Sequence, residues 1–420
     1  MKIPNAIKEH IKQYSEYLKY RTKLRRMYEN CYLSTLKTAL RPQTDGSCFV
    51  LTGDIPAMWL RDSTAEISIY MKVAKYDEDI RKIIKGVISR QLDYILIDPY
   101  ANAFNECNNG SHGMEDVPEP SGWVWERKYE TDSLCYPLQL VYKYISVTHD
   151  YSIINKKFEA AVERIINVWR TEQHHAKMSE YYFIRHNAPK SDTLPCDGRG
   201  NPVAYTGMTW SGFRPSDDAC RYGYHVPSNM FAWVVLGYAA EILNGGLKTK
   251  CLALAEEIKS GIEKYAVTEH EKYGKIYVYE TDGMGNYLLF DDANIPSLMS
   301  IPYIGYLPAD DELYQNTRRF VLSEDNPHYY SGKYASGIGS SHTPEGYIWH
   351  MSLCMQALTS RDSNEIKKII DMLESTDADT GHMHEGFDKD DPKRFTRPWF
   401  CWADSLLAEA VEFAVDFGVI

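Results

Sequence analysis

Long apolar runs are missing from this chain. No stretch approaches the roughly 18 apolar residues of a transmembrane helix. The opening MKIPNAIKEHIKQYSEYLKYRTKLRR has no apolar core of the kind a secretory signal needs. Basic excess is missing as well: the 420 residues carry a formal net charge of −12. That balance excludes the basic face that a nucleic-acid partner or an anionic membrane surface requires. The nine cysteines form no C-x-x-C pair and no recurring spacing, so reduced thiols in a cytoplasmic protein are expected rather than a disulfide framework. No G-x-G-x-x-G follows a strand pattern, and there is no Walker A and no G-x-S-x-G. Neither a nucleotide cofactor nor serine-hydrolase chemistry is expected. Pro- or Ser-rich linkers, low-complexity tracts and a self-similar period are also absent, which argues for one domain over residues 1–420 and against a solenoid of helical pairs.

Tyrosine and tryptophan, by contrast, are plentiful, 32 and 9 in number, many of them in polar, loop-like stretches. An aromatic face among polar residues suits a sugar ring, although most of the tyrosines are expected to pack helices. Helical periodicity dominates. Amphipathic segments fall at about 5–40, 62–75, 78–97, 130–147, 150–173, 227–245, 248–267, 295–306, 310–323, 345–359, 362–375 and 398–417. Strand-like alternation is short: SCFVLTGD (47–54), EYYFIRH (180–186) and KIYVYETDGMGNYLLF (275–290), the last a hairpin with Gly283 and Gly285 in its turn.

Loops dense in Trp, Arg, Asp, His and Gly introduce every second helix, while the intervening joins are short and plain. These loops are GDIPAMWLRD (53–62), GWVWERKYETDS (122–133), TWSGFRPSDDACRYGYHVPSN (209–229), FDDANIPS (290–297), GIGSSHTPEG (337–346) and GHMHEGF…FTRPWF (381–400). If helices alternate inner and outer around a ring, all inner helices start at the same end. Six such loops then converge on one pocket, with the partial positive charge of the helix N-termini directed at it. The expected fold is all-α dominated, an (α/α)6 barrel with short β-hairpin insertions.

Within these loops, Trp59 offers a flat face, and Arg61 beside Asp62 can fork onto vicinal hydroxyls. The bland alternative makes Asp62 an N-cap, with Arg61 bridged to an acid. WVWERKYETDS pairs two tryptophans with several charges, so part of it is expected to line the pocket, Glu126 and Arg127 being candidates. Arg214 precedes the adjacent acids Asp217 and Asp218. Eight residues separate Asp218 from Pro227, too many for a doubly acidic helix cap. Neighbouring carboxylates raise one another's pKa, so Asp218 either helps keep Asp217 protonated or binds substrate. His342, His382 and His384 are further candidates. Metal is not expected, because no Cys or well-spaced third His accompanies the His382–His384 pair, and TDGMGN and DDAN lack EF-hand spacing. The Asp217–Asp218 pair and Glu385 lie on well-separated loops. Two carboxyl groups are what glycosidic cleavage needs: one protonated for the leaving oxygen and, in inverting enzymes, one ionised to activate water.

In these motifs the chain resembles glycoside hydrolase family 125, the inverting exo-α-1,6-mannosidases. The matching stretches are TGDIPAMWLRDST, DPYANAFN, WVWERKYETDSLCYP, AYTGMTWSGFRPSDDAC, YETDGMGNY, DDANIPSL, YQNTRRFVLS, HMHEGF and FTRPWF, in order from about residue 50 to 402. The resemblance implies an (α/α)6 barrel that removes a terminal mannose with inversion and without a metal ion or other cofactor. It implies Asp217 as general acid, Glu385 as general base, and Arg61 and Asp62 as contacts to the terminal sugar. Trp59, Glu126, Arg127, Arg214, Asp218, His342 and His384 complete the candidate substrate-binding set. Ser341 stands where a Pro is common, and TDADTGHMHE varies around the base, which bears on fine substrate preference. The expected partner is a mannose-containing oligosaccharide. Hydrolysis of another α-glycoside, or glycan binding without catalysis, is the alternative.

Overall fold

The structure, a computed structural model, describes residues 3–420; Met1 and Lys2, part of the expected domain span, lie outside the described residues. Its α-helices are α1 (Asn5–Tyr17), α2 (Thr22–Ser34), α3 (Leu60–Ser68), α4 (Met71–Ala74), α5 (Glu78–Ile97), α6 (Thr131–Thr148), α7 (Lys156–Gln173), α8 (His175–Met178), α9 (Val226–Ile242), α10 (Gly245–Tyr265), α11 (Glu312–Val321), α12 (His350–Leu358), α13 (Ser363–Ser375) and α14 (Cys401–Asp416). Helices α3, α6, α9, α12 and α14 form an inner ring in which α3 packs on α6, α6 on α9, α12 on α14, and α14 back on α3. Helices α2, α5, α7, α10, α11 and α13 surround them. Inner helices such as α9 and α14 are buried on nearly every face, as a helix apolar all round must be. Outer helices such as α7 and α13 bury one stripe.

Most joins of the two kinds differ in capping, although inner α9 is capped by His225 and outer α2 and α10 lack a side-chain cap. Outer helices α5, α7, α11 and α13 begin at Asp77, Asn155, Asp311 and Asp362, whose side chains accept from first-turn amides. Inner helices α3, α6, α12 and α14 have no side-chain cap, which leaves their first-turn N–H groups to the loops and cavity at that rim. Short antiparallel sheets tie those loops together. Met58–Trp59 pairs with Ala103–Phe104, which pairs with Val124–Glu126; Tyr347–Trp349 pairs with Gly386–Asp388. The strands at 58–59, 224–225 and 347–349 run directly into α3, α9 and α12, so the side chains at the strand-to-helix junctions are held rigidly.

Some expected helices differ. The 62–75 segment is two helices, α3 and α4, with Ile69 and Tyr70 between them. The 5–40 segment is two antiparallel helices, α1 and α2, ending in a π turn at Thr35–Ala39. One helix of that length would span about 54 Å, longer than the ring wall, and the break at 18–21 carries no Gly or Pro to mark it. The 295–306 segment fills the fourth inner position without being helical. Pro302 has no N–H to donate, Gly305 has φ 88°, and the Asp291 carboxylate takes the amides of Leu298 (2.8 Å) and Met299 (2.9 Å). Its periodicity is real because the segment packs as an inner element: Tyr303 reaches Glu409 of α14 at 2.9 Å. In the expected hairpin, Glu280–Thr281 pairs with Tyr287–Leu288 around Gly283 and Gly285, whereas Gly274–Tyr277 pairs with Val267–His270. No helix among the described residues is long and apolar enough to cross a membrane.

The ring closes between α1 and α14. His10 of α1 bonds Glu412 of α14 at 2.7 Å, and the Tyr14 hydroxyl donates to Asp416 at 3.0 Å.

Candidate active site

At the N-terminal ends of the inner helices lies a cavity of about 360 Å³. Trp59, Arg61 and Asp62 enter it from the start of α3, Asp217 from the loop before α9, His342 and Trp349 from the loop before α12, and Glu385, Phe400 and Trp402 from the loop before α14 and its first turn. In the ring order, α9 and α14 stand three places apart, so Asp217 and Glu385 approach from opposite sides.

Arg61 organises one wall. Only 3% exposed, it donates through Nη1 to Glu130 Oε2 (2.6 Å) and Asp132 Oδ2 (3.2 Å) and through Nη2 to Asp217 Oδ1 (3.5 Å); its Nε lies 3.6 Å from Asp62 Oδ2. The ion-bridged alternative for Arg61 therefore holds together with its place on the cavity wall. Asp62 is not an N-cap: it sits in the first turn of α3, after the cap position at Trp59. Burial pushes its carboxyl up to about 6, against the pull of Arg61 and Arg397.

Asp217 sits at φ 66° in a tight turn, its N–H bonded to Arg214 O at 2.9 Å. Lys128 Nζ fixes its carbonyl at 2.9 Å, and Asn102 Nδ2 lies 3.4 Å from Oδ1. A left-handed non-glycine residue held from several directions is typical of functional positions. Burial pushes the Asp217 carboxyl up, but Lys128, a hydrogen bond with Glu130 and the Arg61 charge outweigh it, so the net shift is downward. Glu130, fully buried beside the same guanidinium, is pushed well up by desolvation, with the Asp217 charge adding to it. Both carboxyls share the Arg61 guanidinium, Glu130 at 2.6 Å and Asp217 at 3.5 Å, and their shifts run in opposite directions.

Asp218 does not perform that task. Its carboxylate turns to the 340–343 loop, accepting from Ser341 Oγ at 2.6 Å and lying 3.5 Å from His342 Nδ1. Burial lowers the affinity of His342 for a proton, but the Asp218 hydrogen bond and the Asp217 and Glu385 charges raise its pKa to about 9. His342 is thus a cation at neutral pH, at the cavity mouth.

Glu385 is 8% exposed. Burial raises its pKa, partly offset by Arg397, whose Nη1 lies 3.8 Å away, and by His342. Arg397 is itself clamped to Asp54 (2.7 Å) and to Thr52 O (3.0 Å). The clamp depends on Gly53, which has φ 56° and whose Cβ, if present, would lie 2.3 Å from the Trp399 carbonyl. Gly53→Ala is therefore expected to lower stability by about 1–3 kcal/mol for the backbone strain alone. It should also raise KM as the loop moves off Arg397; thermal melting and steady-state kinetics check both.

Four more candidates, like Asp218, support the cavity without lining it. Arg127 is bonded to Asp98 at 2.7 Å and lies over Tyr100 and Tyr181, on the outer side of its loop. Glu126 is spent on Asn102 and Arg185, each 2.9 Å away. Arg214 ion-pairs with Glu280 at 2.5 Å, bracing the Asp217 turn. His384 stacks on Phe395 at 3.7 Å and bonds the Arg397 carbonyl. Each was a charged or aromatic residue in the right loop, but its facing is set by tertiary partners that spacing does not reveal. Residues that the sequence reading passed over include Glu130, Asn294, Trp349, Arg397 and Trp402. All of them lie in or beside the six loops singled out above, Asn294 in FDDANIPS. Among the described residues, Cys31, His382 and Asp404 have ligand atoms close enough for a metal ion. Their polar atoms are satisfied by one another, Cys31 Sγ to Asp404 at 3.1 Å and His382 to Asp404 at 2.9 Å, and they lie outside the cavity, anchoring the Glu385 loop.

The double helical ring, with two carboxyl groups entering one cavity, defines a glycoside hydrolase of the (α/α)6 class. The chain belongs to the metal-independent α-mannosidase family GH125, whose model matches residues 21–412. It is 41% identical, over 92% of its length and 81% of the other chain, to the meiotically up-regulated gene 157 protein of Schizosaccharomyces pombe. It is 48% identical to a metal-independent α-mannosidase of Streptococcus pneumoniae solved in a non-productive complex with α-1,6-mannobiose, with a TM-score of 0.96 and 99% of each chain covered. The glucoamylase of Saccharomycopsis fibuligera, 11% identical with a TM-score of 0.57 over 95% of this chain and 96% of that one, shares the fold alone.

Proposed function

We propose that the chain is one catalytic domain acting as an inverting, exo-acting α-1,6-mannosidase, with Asp217 as general acid and Glu385 as general base. The observation that carries this reading is that Asp217 and Glu385 enter a single cavity from opposite sides of the inner ring. The α-1,6 preference is supported by the likeness to the Streptococcus enzyme. The cavity is small enough to take the end of a glycan rather than its middle, which supports exo action. Arg61 and Asp62 bind hydroxyls of the terminal mannose, and Trp59 and Trp402 offer faces to its ring. Water attacks the anomeric carbon as Glu385 takes its proton, while Asp217 delivers a proton to the departing oxygen. A base raised by burial has more drive to take that proton, and the Arg397 charge keeps it ionised. His342, cationic above the site, helps hold the glycan. The nine cysteines are all free, which supports a cytoplasmic enzyme working on small mannose-containing glycans, with no nucleic-acid or membrane partner.

Purified enzyme should hydrolyse α-1,6-mannobiose and aryl α-mannosides and leave α-glucosides intact. Proton NMR of the first turnovers should show β-mannose, and a substrate complex should place the two carboxyls roughly 6.5–9.5 Å apart. First-formed α-mannose, or internal fragments released from a mannan before any monosaccharide, would overturn the reading.

A further inference from the structure

We propose that Glu130 is a positioning residue that stores the proton Asp217 delivers. The inference rests on Asp217 being the general acid. Around the Arg61 guanidinium stand four carboxyls, those of Asp62, Glu130, Asp132 and Asp217. Of the other cations nearby, Lys128 is shared with Glu126 and Asp192, His342 with Asp218, and Arg397 with Asp54. With negative charge in excess and little water, at least one carboxyl in the cluster must be protonated.

Geometry selects Glu130. Its Oε2 accepts from Arg61 Nη1 (2.6 Å) and Ser133 Oγ (2.7 Å), while its Oε1 is buried with no hydrogen-bond donor. A bare carboxylate oxygen in that position would forfeit its solvation. A protonated one becomes a donor, and its acceptor in the proposal is Asp217, which sits on the other terminal nitrogen of the same guanidinium. The Glu130 side chain is 0% exposed and that of Asp217 is 25% exposed. The stored proton therefore reaches the cavity through Asp217.

In the reaction, the Glu130 O–H bond breaks as an Asp217 O–H bond forms. The Asp217 O–H bond then breaks as the leaving oxygen is protonated and its bond to the anomeric carbon cleaves. Glu130 is left as a carboxylate held by Arg61, by Ser133 and by the N-terminus of α6, where negative charge is favoured. Glu385 has taken one proton from the attacking water, and the Glu130–Asp217 pair regains one from solvent after product departs.

The test is Glu130→Gln, which keeps the side-chain volume and removes the transferable proton. The charged and titratable groups facing the pair, which remain in the variant, are Arg61 and Asp62 from α3, Lys128 from the preceding loop, Asp132 from α6 and His342 from the loop before α12. Turnover of α-1,6-mannobiose should fall at least about tenfold, while that of a 2,4-dinitrophenyl α-mannoside, which departs without protonation, should change little. The alkaline limb of the kcat/KM profile on mannobiose should move to lower pH, because Asp217 alone beside Arg61 and Lys128 loses its proton more easily. Equal losses on both substrates with an unmoved limb would overturn the proposal. If the Gln variant does not fold, Glu130→Asp, which keeps a proton but withdraws it by one methylene, should still depress mannobiose turnover more than aryl turnover; equal depression overturns it. Asp217→Asn separates this inference from the reading beneath it. If that variant shows no preference for the aryl substrate, the acid assignment fails. If it shows the preference and Glu130→Gln does not, only the role of Glu130 fails.

Discussion

Glu385→Gln is expected to lower turnover of α-1,6-mannobiose and of activated aryl α-mannosides alike, by about 10²–10⁴-fold, since positioned proton transfer contributes on that scale. Water must be activated whatever the leaving group, so a better leaving group gives no relief. Asp217→Asn should show a comparable loss on mannobiose but retain most activity on an aryl mannoside of low leaving-group pKa. The contrast between the two variants, measured as the ratio of kcat/KM on the two substrates, tests the assignment of acid and base. A rescue seen for Glu385→Gln and not for Asp217→Asn would reverse it.

Arg61→Met should be the most destabilising single change in the site, by about 3–5 kcal/mol, because it strands buried carboxylates that shared one cation. The loss should depend on pH in a defined direction. Arg61 holds down the pKa of Asp62, Glu130 and Asp132 in the folded state. Without it these folded-state values climb further above the ordinary carboxylate value of about 4. Groups raised in this way favour the fold below their unfolded pKa and lose that contribution as pH rises through the folded value. The melting deficit relative to the wild type should thus be larger at pH 7.5 than at pH 5. A deficit that is constant with pH would mean that the arginine acts through packing over Trp402 (5.9 Å to the ring) rather than through charge.

The ring itself was legible because two signals coincide: helical periodicity, and reactive residue types in front of every second helix. That Asp217 and Glu385 line one cavity was readable from the same pattern, sharpened by family resemblance. What was not readable depended on partners distant in sequence. Glu130 and Asp217 are neighbours only because the loops before α6 and α9 converge on Arg61. Arg127 carries the same charge as Arg61, yet Asp98 and two tyrosine faces draw it outward. The 295–306 segment has helical apolar spacing, and only the competing Asp291 carboxylate and the prolines reveal why it does not wind into a helix. Asp218, adjacent to Asp217, was the natural candidate for tuning it; the turn sends the two side chains to different partners.

Ring closure through α1 and α14 also constrains when the active site comes into being. The His10–Glu412 bond joins residues 402 positions apart, and α14 packs on both α2 and α3, so α14 completes a wall that α2 and α3 begin. Glu385 and Trp402 arrive with it. While the chain is being synthesised, α3, α6 and α9 can pair locally, but α3 exposes the flank that α14 will later cover. Contacts of such separation are slow to form, and the exposed flank is a site for association with other chains in the interval. The enzyme is thus inactive until the whole ring has been made, and its most vulnerable surface in biosynthesis is the open edge of α3.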